Sequence, residues 1–181
     1  MACSNQTEDN KISTKSFDEK DEKKVLVLYF SQTGNTEKVA NYIQSEVNAD
    51  IIQIQTKKPY PNDLDELYQI GQSELDQNAR PELINGTVEL SKYDIIFLGY
   101  PIWGGTCPMA VFSFLEQNDF SNTVIAPFCT HGGSGLANSV SDLENHLPDN
   151  AELLNGFEIN GSSVSGAEEE ISKWIFNILE V

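Results

Sequence analysis

The sequence predicts an α/β domain, a three-layer α/β/α sandwich in which a five-stranded parallel sheet lies between two layers of helices. Residues 25–30 are continuously apolar, which is typical of a parallel strand that is covered on both faces. Further short apolar runs alternate along the chain with segments whose apolar residues recur at helical spacing. Right-handed crossovers place the helices between parallel strands on both faces of the sheet, so this alternation favours one three-layer domain.

Five strands are predicted in chain order. They cover residues 25–30, 51–55, 94–99, 123–129 and 152–159. A proline-rich bend follows the second strand, and glycine-rich or hydroxyl-rich segments follow the first, third and fourth strands. No long insertion interrupts the fifth strand, which is predicted to be continuous.

Five helices are predicted, each from apolar residues that share one face. These faces are marked by Val39, Ala40, Ile43 and Val47; by Leu64, Leu67, Tyr68 and Leu75; by Met109, Phe112 and Leu115; by Val140, Leu143 and Leu147; and by Ile171, Trp174, Ile175, Ile178 and Leu179. Pro108 suits the first turn of the third helix. Ser165 and Glu168 have the spacing of a capping box, which predicts the start of the last helix.

The chain is strongly acidic. Its 181 residues include 28 Asp and Glu against 11 Lys and Arg, for a net charge of −17 and a pI of about 4.2. Such an excess repels polyanions and releases no counterions on phosphate contact, so we expect no binding to nucleic acid or to anionic membranes. Residues 25–181 alone hold 22 acidic and six basic residues, so the acidity belongs to the domain. No apolar run approaches the roughly 20 residues that cross a bilayer.

Residues 1–24 are interpreted as a flexible polar tail, because they hold too few apolar groups to offset the entropy of ordering. Cys3 in this tail has two interpretations. It is an exposed thiol of a cytoplasmic protein, or the lipid-bearing residue of an extracytoplasmic lipoprotein whose signal peptide has been removed. Together with Cys107 and Cys129 it makes three cysteines, too few for a disulfide scaffold and without the spacing of a zinc site.

The segment that joins the first strand to the first helix is the main candidate site. It consists of Ser31, Gln32, Thr33, Gly34, Asn35 and Thr36. Unpaired backbone N–H groups and the helix dipole bind anions at a helix N-terminus, and short hydroxyl side chains add donors. The segment contains no Lys or Arg, unlike the G-x-x-x-x-G-K-[ST] loop of nucleoside triphosphatases, so a monophosphate ester fits better than a triphosphate. The alternative is an ordinary polar turn that caps the helix.

Two more segments are predicted to reach the same edge of the sheet, because the carboxyl ends of parallel strands lie together there. The third strand is followed by Tyr100, Pro101, Ile102, Trp103, Gly104 and Gly105, and the fourth by Thr130, His131, Gly132, Gly133, Ser134 and Gly135. The aromatic residues either stack on a planar ring or pack in a cluster that covers the loop. The backbone N–H groups of the second segment have the chemistry to bind ring carbonyl oxygens.

These three segments, S-x-T-G-N-T, G-Y-P-I-W-G-G and T-H-G-G-S-G, resemble those of the flavodoxin family, and the resemblance covers residues 24–181. It implies a short-chain flavodoxin with the strand order 2-1-3-4-5 and with FMN as its non-covalent cofactor. It further implies that residues 31–36 bind the FMN phosphate, that Trp103 stacks on the isoalloxazine beside Gly104, and that residues 130–135 contact the pyrimidine edge. In flavodoxins a tyrosine after the fourth strand often stacks on the second flavin face, and this chain has none there. Tyr60 either covers that face instead or packs at the entry of the second helix.

The resemblance implies a bacterial, low-potential electron carrier that acts as a monomer between basic or neutral redox proteins. The alternative on the same fold is an NAD(P)H-dependent FMN oxidoreductase or quinone reductase, and a third possibility is a binding module without cofactor. Arg80 is the only arginine, and the sequence offers no basic patch for a nucleotide 2′-phosphate, which favours the carrier.

Overall fold

The computed structural model describes residues 23–180. The strands are β1 (Val25–Tyr29), β2 (Asp50–Gln53), β3 (Ile95–Pro101), β4 (Val124–His131), β5 (Glu152–Leu153) and β6 (Phe157–Asn160). The helices are α1 (Asn35–Val47), α2 (Leu64–Asp76), α3 (Met109–Gln117), α4 (Ser139–His146) and α5 (Glu168–Leu179). The expected tail, except for its last two residues, lies outside the described residues, and so does Cys3. Across residues 23–180, no helix has both the length and the apolarity needed to cross a membrane.

The strands form one parallel sheet. Its order is β2-β1-β3-β4-β5, and β6 also pairs with β4, further along the same edge. Leu98 on β3 lies between Leu28 on β1 and Pro127 on β4. The predicted order 2-1-3-4-5 is confirmed. Because the strands are parallel, the segments that follow them lie at one edge of the sheet.

Helices cover both faces of the sheet. On one face α1 and α5 pack over Val27 and Phe97, with Ile43 and Ile175 buried between helix and strand. On the other face α3 is buried from Met109 to Leu115, so it contacts neighbours around nearly its whole circumference. This burial on both faces explains why the central strands are continuously apolar.

The predicted continuous fifth strand is wrong, because the structure divides it into β5 and β6. Leu153 pairs with Ile125 and Phe157 pairs with Phe128, so the three residues 154–156 lie opposite only two residues of β4. The Leu154 N–H still donates to the Ile125 carbonyl at 2.8 Å. The next donor on β4 would be residue 127, which is proline and has no N–H. The regular pairing therefore ends there and resumes after one extra residue.

The predicted capping box at Ser165 and Glu168 is also wrong. Helix α5 begins at Glu168, its N-cap residue is Ala167, and no side chain caps it. Gly166 adopts a φ of 103°, a left-handed conformation that favours glycine, and this separates Ser165 from the helix start. Three consecutive glutamates from Glu168 occupy the first turn instead, where negative charge is stabilised by the helix dipole.

The predicted apolar face of α2 is only partly buried. Leu67 is buried, whereas Leu64 and Tyr68 are 66% and 69% exposed. The row that faces the domain contains Leu67, Gly71 and Leu75, and a Cβ at Gly71 would lie 3.2 Å from Trp103 Cε3. A glycine thus occupies the closest contact of the helix, a position that an apolar pattern does not mark.

Candidate functional site

A cleft of about 320 Å³ opens at the carboxyl edge of the sheet, and we call it the central cleft. Four chain segments line it with Thr33, Asn35, Pro101, Ile102, Thr130, His131, Gly132, Asn160, Gly161 and Ser162. The structure therefore brings all three predicted segments together, and adds a fourth after β6.

The N-terminus of α1 reaches this cleft without an internal cap. Its N-cap residue is Gly34, with a φ of 87°, and no side chain within residues 23–180 accepts a hydrogen bond there. The Lys38 N–H donates to the Gly34 carbonyl at 3.1 Å, so the N–H groups that precede Lys38 stand outside the helical ladder. Thr33 and Asn35 lie on either side of Gly34 and line the cleft. An anion is the ligand that such a helix end stabilises.

Other residues of the 31–36 segment have partners within the protein. The Thr36 hydroxyl is 2.8 Å from the Thr130 hydroxyl, and both side chains are buried. The Gln32 side-chain amide donates to the Tyr60 and Pro61 carbonyls at 3.3 and 3.1 Å. These bonds attach the segment to β4 and to the bend after β2, so its shape is fixed before a ligand binds. Ser31 and Gln32 line a separate, wider cleft beside β2.

The segment after β3 forms a tight hairpin turn. The N–H groups of Trp103 and Thr106 donate to each other's carbonyls at 2.9 and 3.1 Å. Gly104 and Gly105 between them have φ values of 57° and 85°, the pattern of a two-residue turn that glycine adopts readily. The Gly105 carbonyl accepts from the Asn138 N–H, which joins this turn to the segment before α4.

The two aromatic residues of this segment have different positions. The Tyr100 ring is fully buried, and its hydroxyl donates to Ser139 Oγ at 3.2 Å, so this side chain does not line the cleft. Burial raises the pKa of Tyr100 well above its ordinary value. Trp103 is half-buried and contacts Phe30 and Tyr60 edge to face, with ring centroids 5.4 and 5.2 Å from its own. Trp103 thus belongs to a packed aromatic cluster.

Tyr60 takes the packing position of its two alternatives. Its ring contacts Phe30 and Trp103, and its hydroxyl donates to Glu74 Oε2 on α2 at 2.8 Å. Burial raises the pKa of the Tyr60 phenol, and burial also raises the pKa of Glu74. The bend after β2, α2 and the turn after β3 are therefore held together beside the central cleft.

A second, apolar groove of about 210 Å³ lies next to Trp103, and we call it the α2 groove. Its lining residues are Leu64, Leu67, Tyr68, Gly71, Gln72, Ile102, Trp103 and Gly104. The exposed residues of α2 therefore border the turn that directly follows the cleft residues Pro101 and Ile102. The sequence pattern did not indicate this groove, because it depends on where Gly71 meets Trp103.

The segment predicted to follow β4 begins inside the strand. Thr130 and His131 are the last two residues of β4, and Gly132 continues the cleft wall. The Gly133 N–H donates to His131 Nδ1 at 2.9 Å, so this amide is already engaged within the protein. The Cys129 thiol contacts the Gly135 carbonyl at 3.7 Å. Cys107 and Cys129 are buried and unpaired with each other, and burial raises the pKa of the Cys129 thiol to about 12.

The sequence reasoning missed Asn160, Gly161 and Ser162. The Asn160 side-chain oxygen accepts from the Ser162 N–H and hydroxyl at 3.0 and 2.7 Å, which turns the chain sharply after β6. A Cβ at Gly161 would lie 2.6 Å from Asn35 Nδ2, so glycine allows the two segments to meet. The signal was present, because this stretch is also glycine-rich and hydroxyl-rich and follows a strand.

The donor set of the central cleft is neutral. Its lining residues, all within the described part of the chain, contribute hydroxyls, amides and one imidazole, and none is Lys, Arg, Asp or Glu. Neutral donors at a helix N-terminus suit a phosphate monoester, whose charge the helix dipole offsets. The residues present therefore fit the phosphate and ribityl part of a mononucleotide.

Comparison with known proteins agrees with this arrangement. A family model described as "Flavodoxin" matches residues 24–178. The flavodoxin-like domain-containing protein BilS of Clostridioides difficile is 30% identical over 156 residues, which cover 84% of this chain and 74% of that protein.

Two solved structures share the fold. The structure of a Bacteroides uniformis protein has 31% identity and a TM-score of 0.72, over 84% of this chain and 97% of that one. A Lactobacillus acidophilus flavoprotein, solved in complex with FMN, has 25% identity and a TM-score of 0.64, over 83% of this chain and 99% of that one.

Proposed function

Since this chain belongs to the flavodoxin family, we propose that it binds FMN in the central cleft and carries electrons between larger redox proteins. The observation that supports this most directly is the uncapped N-terminus of α1, which opens into a cleft with neutral donors. When bound, FMN would supply reversible acceptance and release of electrons. The likeness to a flavoprotein solved with FMN supports the choice of cofactor.

In this proposal four segments divide the binding. The first turn of α1, with Thr33 and Asn35, holds the phosphate. The Trp103 turn borders the ring system, and the residues from Thr130 onward, with the neighbouring Asn160 on β6, hold the remainder. The buried Thr36 and Tyr100 side chains do not contact the cofactor in this proposal. They hold these segments in place through their hydrogen bonds to Thr130 and Ser139.

The acidity of the domain suits a low reduction potential. A carboxylate about 10 Å from a redox centre, at an effective dielectric of about 40, raises the energy of an added electron by roughly 0.8 kcal/mol, or about 35 mV. Residues 25–181 carry a net charge of −16, and the central cleft provides no cation to offset it. The same charge steers basic partners toward the protein, so electron-transfer rates should fall as salt rises.

The test is a comparison of ligands and variants. We expect the protein to bind FMN with one-to-one stoichiometry and to bind riboflavin, which lacks the phosphate, at least about tenfold more weakly. Asn35→Asp places a negative charge at the helix N-terminus and should weaken FMN binding but leave riboflavin binding nearly unchanged. Asn150→Asp adds the same charge to an exposed residue before β5, at the opposite edge of the sheet, and serves as the control. Equal loss of FMN affinity in both variants would refute the phosphate site.

The second candidate function is an NAD(P)H-dependent FMN oxidoreductase, and the α2 groove favours it. This groove provides apolar space for a substrate beside Trp103. Against it, Arg80 is held by Glu116 at 2.7 Å and also contacts the side chain and carbonyl of Asn78, so it is not presented to a nucleotide. Rapid mixing of the FMN-loaded protein with NADH or NADPH decides between the functions. Rapid bleaching of the flavin without a partner reductase would identify the enzyme, whereas slow bleaching supports the carrier.

A further inference from the structure

His131 lies at the end of β4, where the strand meets the central cleft. Its side chain is only 7% exposed, although it belongs to the cleft wall. The ring touches two different parts of the chain through its two nitrogens. Nδ1 faces the Gly133 N–H at 2.9 Å, and Nε2 faces the carboxylate of Glu158 on β6.

These two contacts determine where the ring proton lies. A backbone N–H can only donate, so Nδ1 must accept and must carry no proton. The single proton of the neutral ring is then on Nε2, which donates to the Glu158 carboxylate. The His131–Glu158 contact is therefore a hydrogen bond of a neutral imidazole, although an imidazolium ion pair would bring the same two side chains together.

The segment that this ring holds is rich in glycine and has few other ties. Gly133 and Gly135 have φ values of 135° and 61°, which are left-handed conformations that glycine adopts at low cost. Within residues 23–180, the other hydrogen bond to residues 132–135 is the weak one that the Cys129 thiol donates to the Gly135 carbonyl. Without the ring, this segment would have more conformational freedom in the free protein, and the entropy lost on ligand binding would weaken binding.

Glu158 connects the ring to the neighbouring strand β6. In the β4–β6 ladder Glu158 pairs with Cys129, and the next cleft residue, Asn160, pairs with His131. Two hydrogen bonds of the His131 ring, to Gly133 and to Glu158, thus join the segment after β4 to the strand that carries Asn160. The ring therefore ties the Gly133 segment to a strand that is already paired with β4.

We propose that His131, neutral and protonated on Nε2, is a positioning residue that braces Gly133 against Glu158 and so preforms the part of the cleft wall that contacts the cofactor. The binding part of this inference rests on the proposed FMN function. Its structural part concerns the free protein alone and is tested without any ligand.

The first test is NMR of the free, full-length protein at neutral pH. Long-range ¹H–¹⁵N correlation of the His131 ring should show a protonated Nε2 and an unprotonated Nδ1, and Glu158→Gln should keep this pattern, because its amide oxygen still accepts. The Gly133 amide should exchange with solvent at least about tenfold faster in His131→Ala than in the wild type. A proton on Nδ1, in either the neutral or the charged ring, would overturn the proposal, and so would an unchanged Gly133 exchange rate.

The second test uses affinity and a conservative rescue. His131→Ala should weaken FMN and riboflavin by the same factor of about 5 to 10, as expected for the loss of about one hydrogen bond that orders a segment common to both ligands. His131→Asn should recover most of this loss, because an asparagine oxygen accepts from the N–H two residues later. Equal affinities of wild type and His131→Ala, or no recovery in a folded His131→Asn protein, would refute the brace. If the wild type bound neither flavin, the proposed function would fail, and the NMR result would still decide the brace.

Discussion

Replacing Thr36 by valine removes one hydroxyl from a buried pair that joins α1 to β4. The Thr36 and Thr130 hydroxyls are 2.8 Å apart, and the two residues are only 1% and 4% exposed. Valine has nearly the shape of threonine, so Thr36→Val leaves the Thr130 hydroxyl buried without that partner. Thr130→Val does the reverse, and the double variant places two methyl groups in contact.

The expected energies follow from this geometry. An unsatisfied buried hydroxyl costs about 1–3 kcal/mol, so each single variant should lose about 2 kcal/mol in the free energy of unfolding. The double variant leaves neither hydroxyl unpaired, so its loss should be smaller than the sum of the two single losses by at least about 1 kcal/mol.

Urea unfolding of the free protein measures these differences. With a slope of about 2 kcal/mol per molar urea, a loss of 2 kcal/mol lowers the midpoint by about 1 M. Thr123 provides the control, because its buried hydroxyl donates to the nearby Phe120 carbonyl at 2.7 Å, at the other end of β4. Thr36→Val and Thr123→Val should be additive within about 0.5 kcal/mol. If Thr36→Val and Thr130→Val were equally additive, the hydroxyl pair would not couple the two segments.

Two further predictions concern stability. A Cβ at Gly99 would lie 2.1 Å from Phe128 Cζ, so Gly99→Ala should lose about 3 kcal/mol in urea unfolding, whereas Gly86→Ala, with nothing within 4 Å, should change stability by less than about 0.5 kcal/mol. Comparable losses would contradict the close packing of β3 on β4. Burial raises the pKa of Glu74, so its ionisation opposes folding, and wild-type stability should fall relative to Glu74→Gln as pH rises from about 4 to 7. The glutamine can still accept from Tyr60, and parallel thermal-stability curves for the two proteins would refute this assignment.

Most strands and helices could be predicted because their signals are local, whereas the strand order came from the resemblance to the flavodoxin family. The apolar run of β1 and the helical spacing of Val39, Ala40 and Ile43 require only neighbouring residues to agree, and the structure buries all of them. The burial of Tyr100 was also predictable from alternation, since it shares a face of β3 with Ile96.

The features that the sequence did not reveal depend on contacts between distant segments. The break in the fifth strand is caused by Pro127 on a neighbouring strand, and the contact row of α2 is defined by Gly71 against Trp103. For the candidate site, the segment that we propose binds the phosphate was selected from its chemistry. The engagement of Gly133 by His131 required three-dimensional information, because it depends on the ring orientation.

The missing N–H of Pro127 has a consequence for the local stability of the sheet. Residues 157–160 are attached to β4 by a four-residue ladder that is separate from the two-residue ladder of β5. Because the two ladders are separate, each can open in a subglobal fluctuation while the other ladder and the inner strands stay paired. The backbone amides of β5 and β6 should therefore exchange with solvent at different rates.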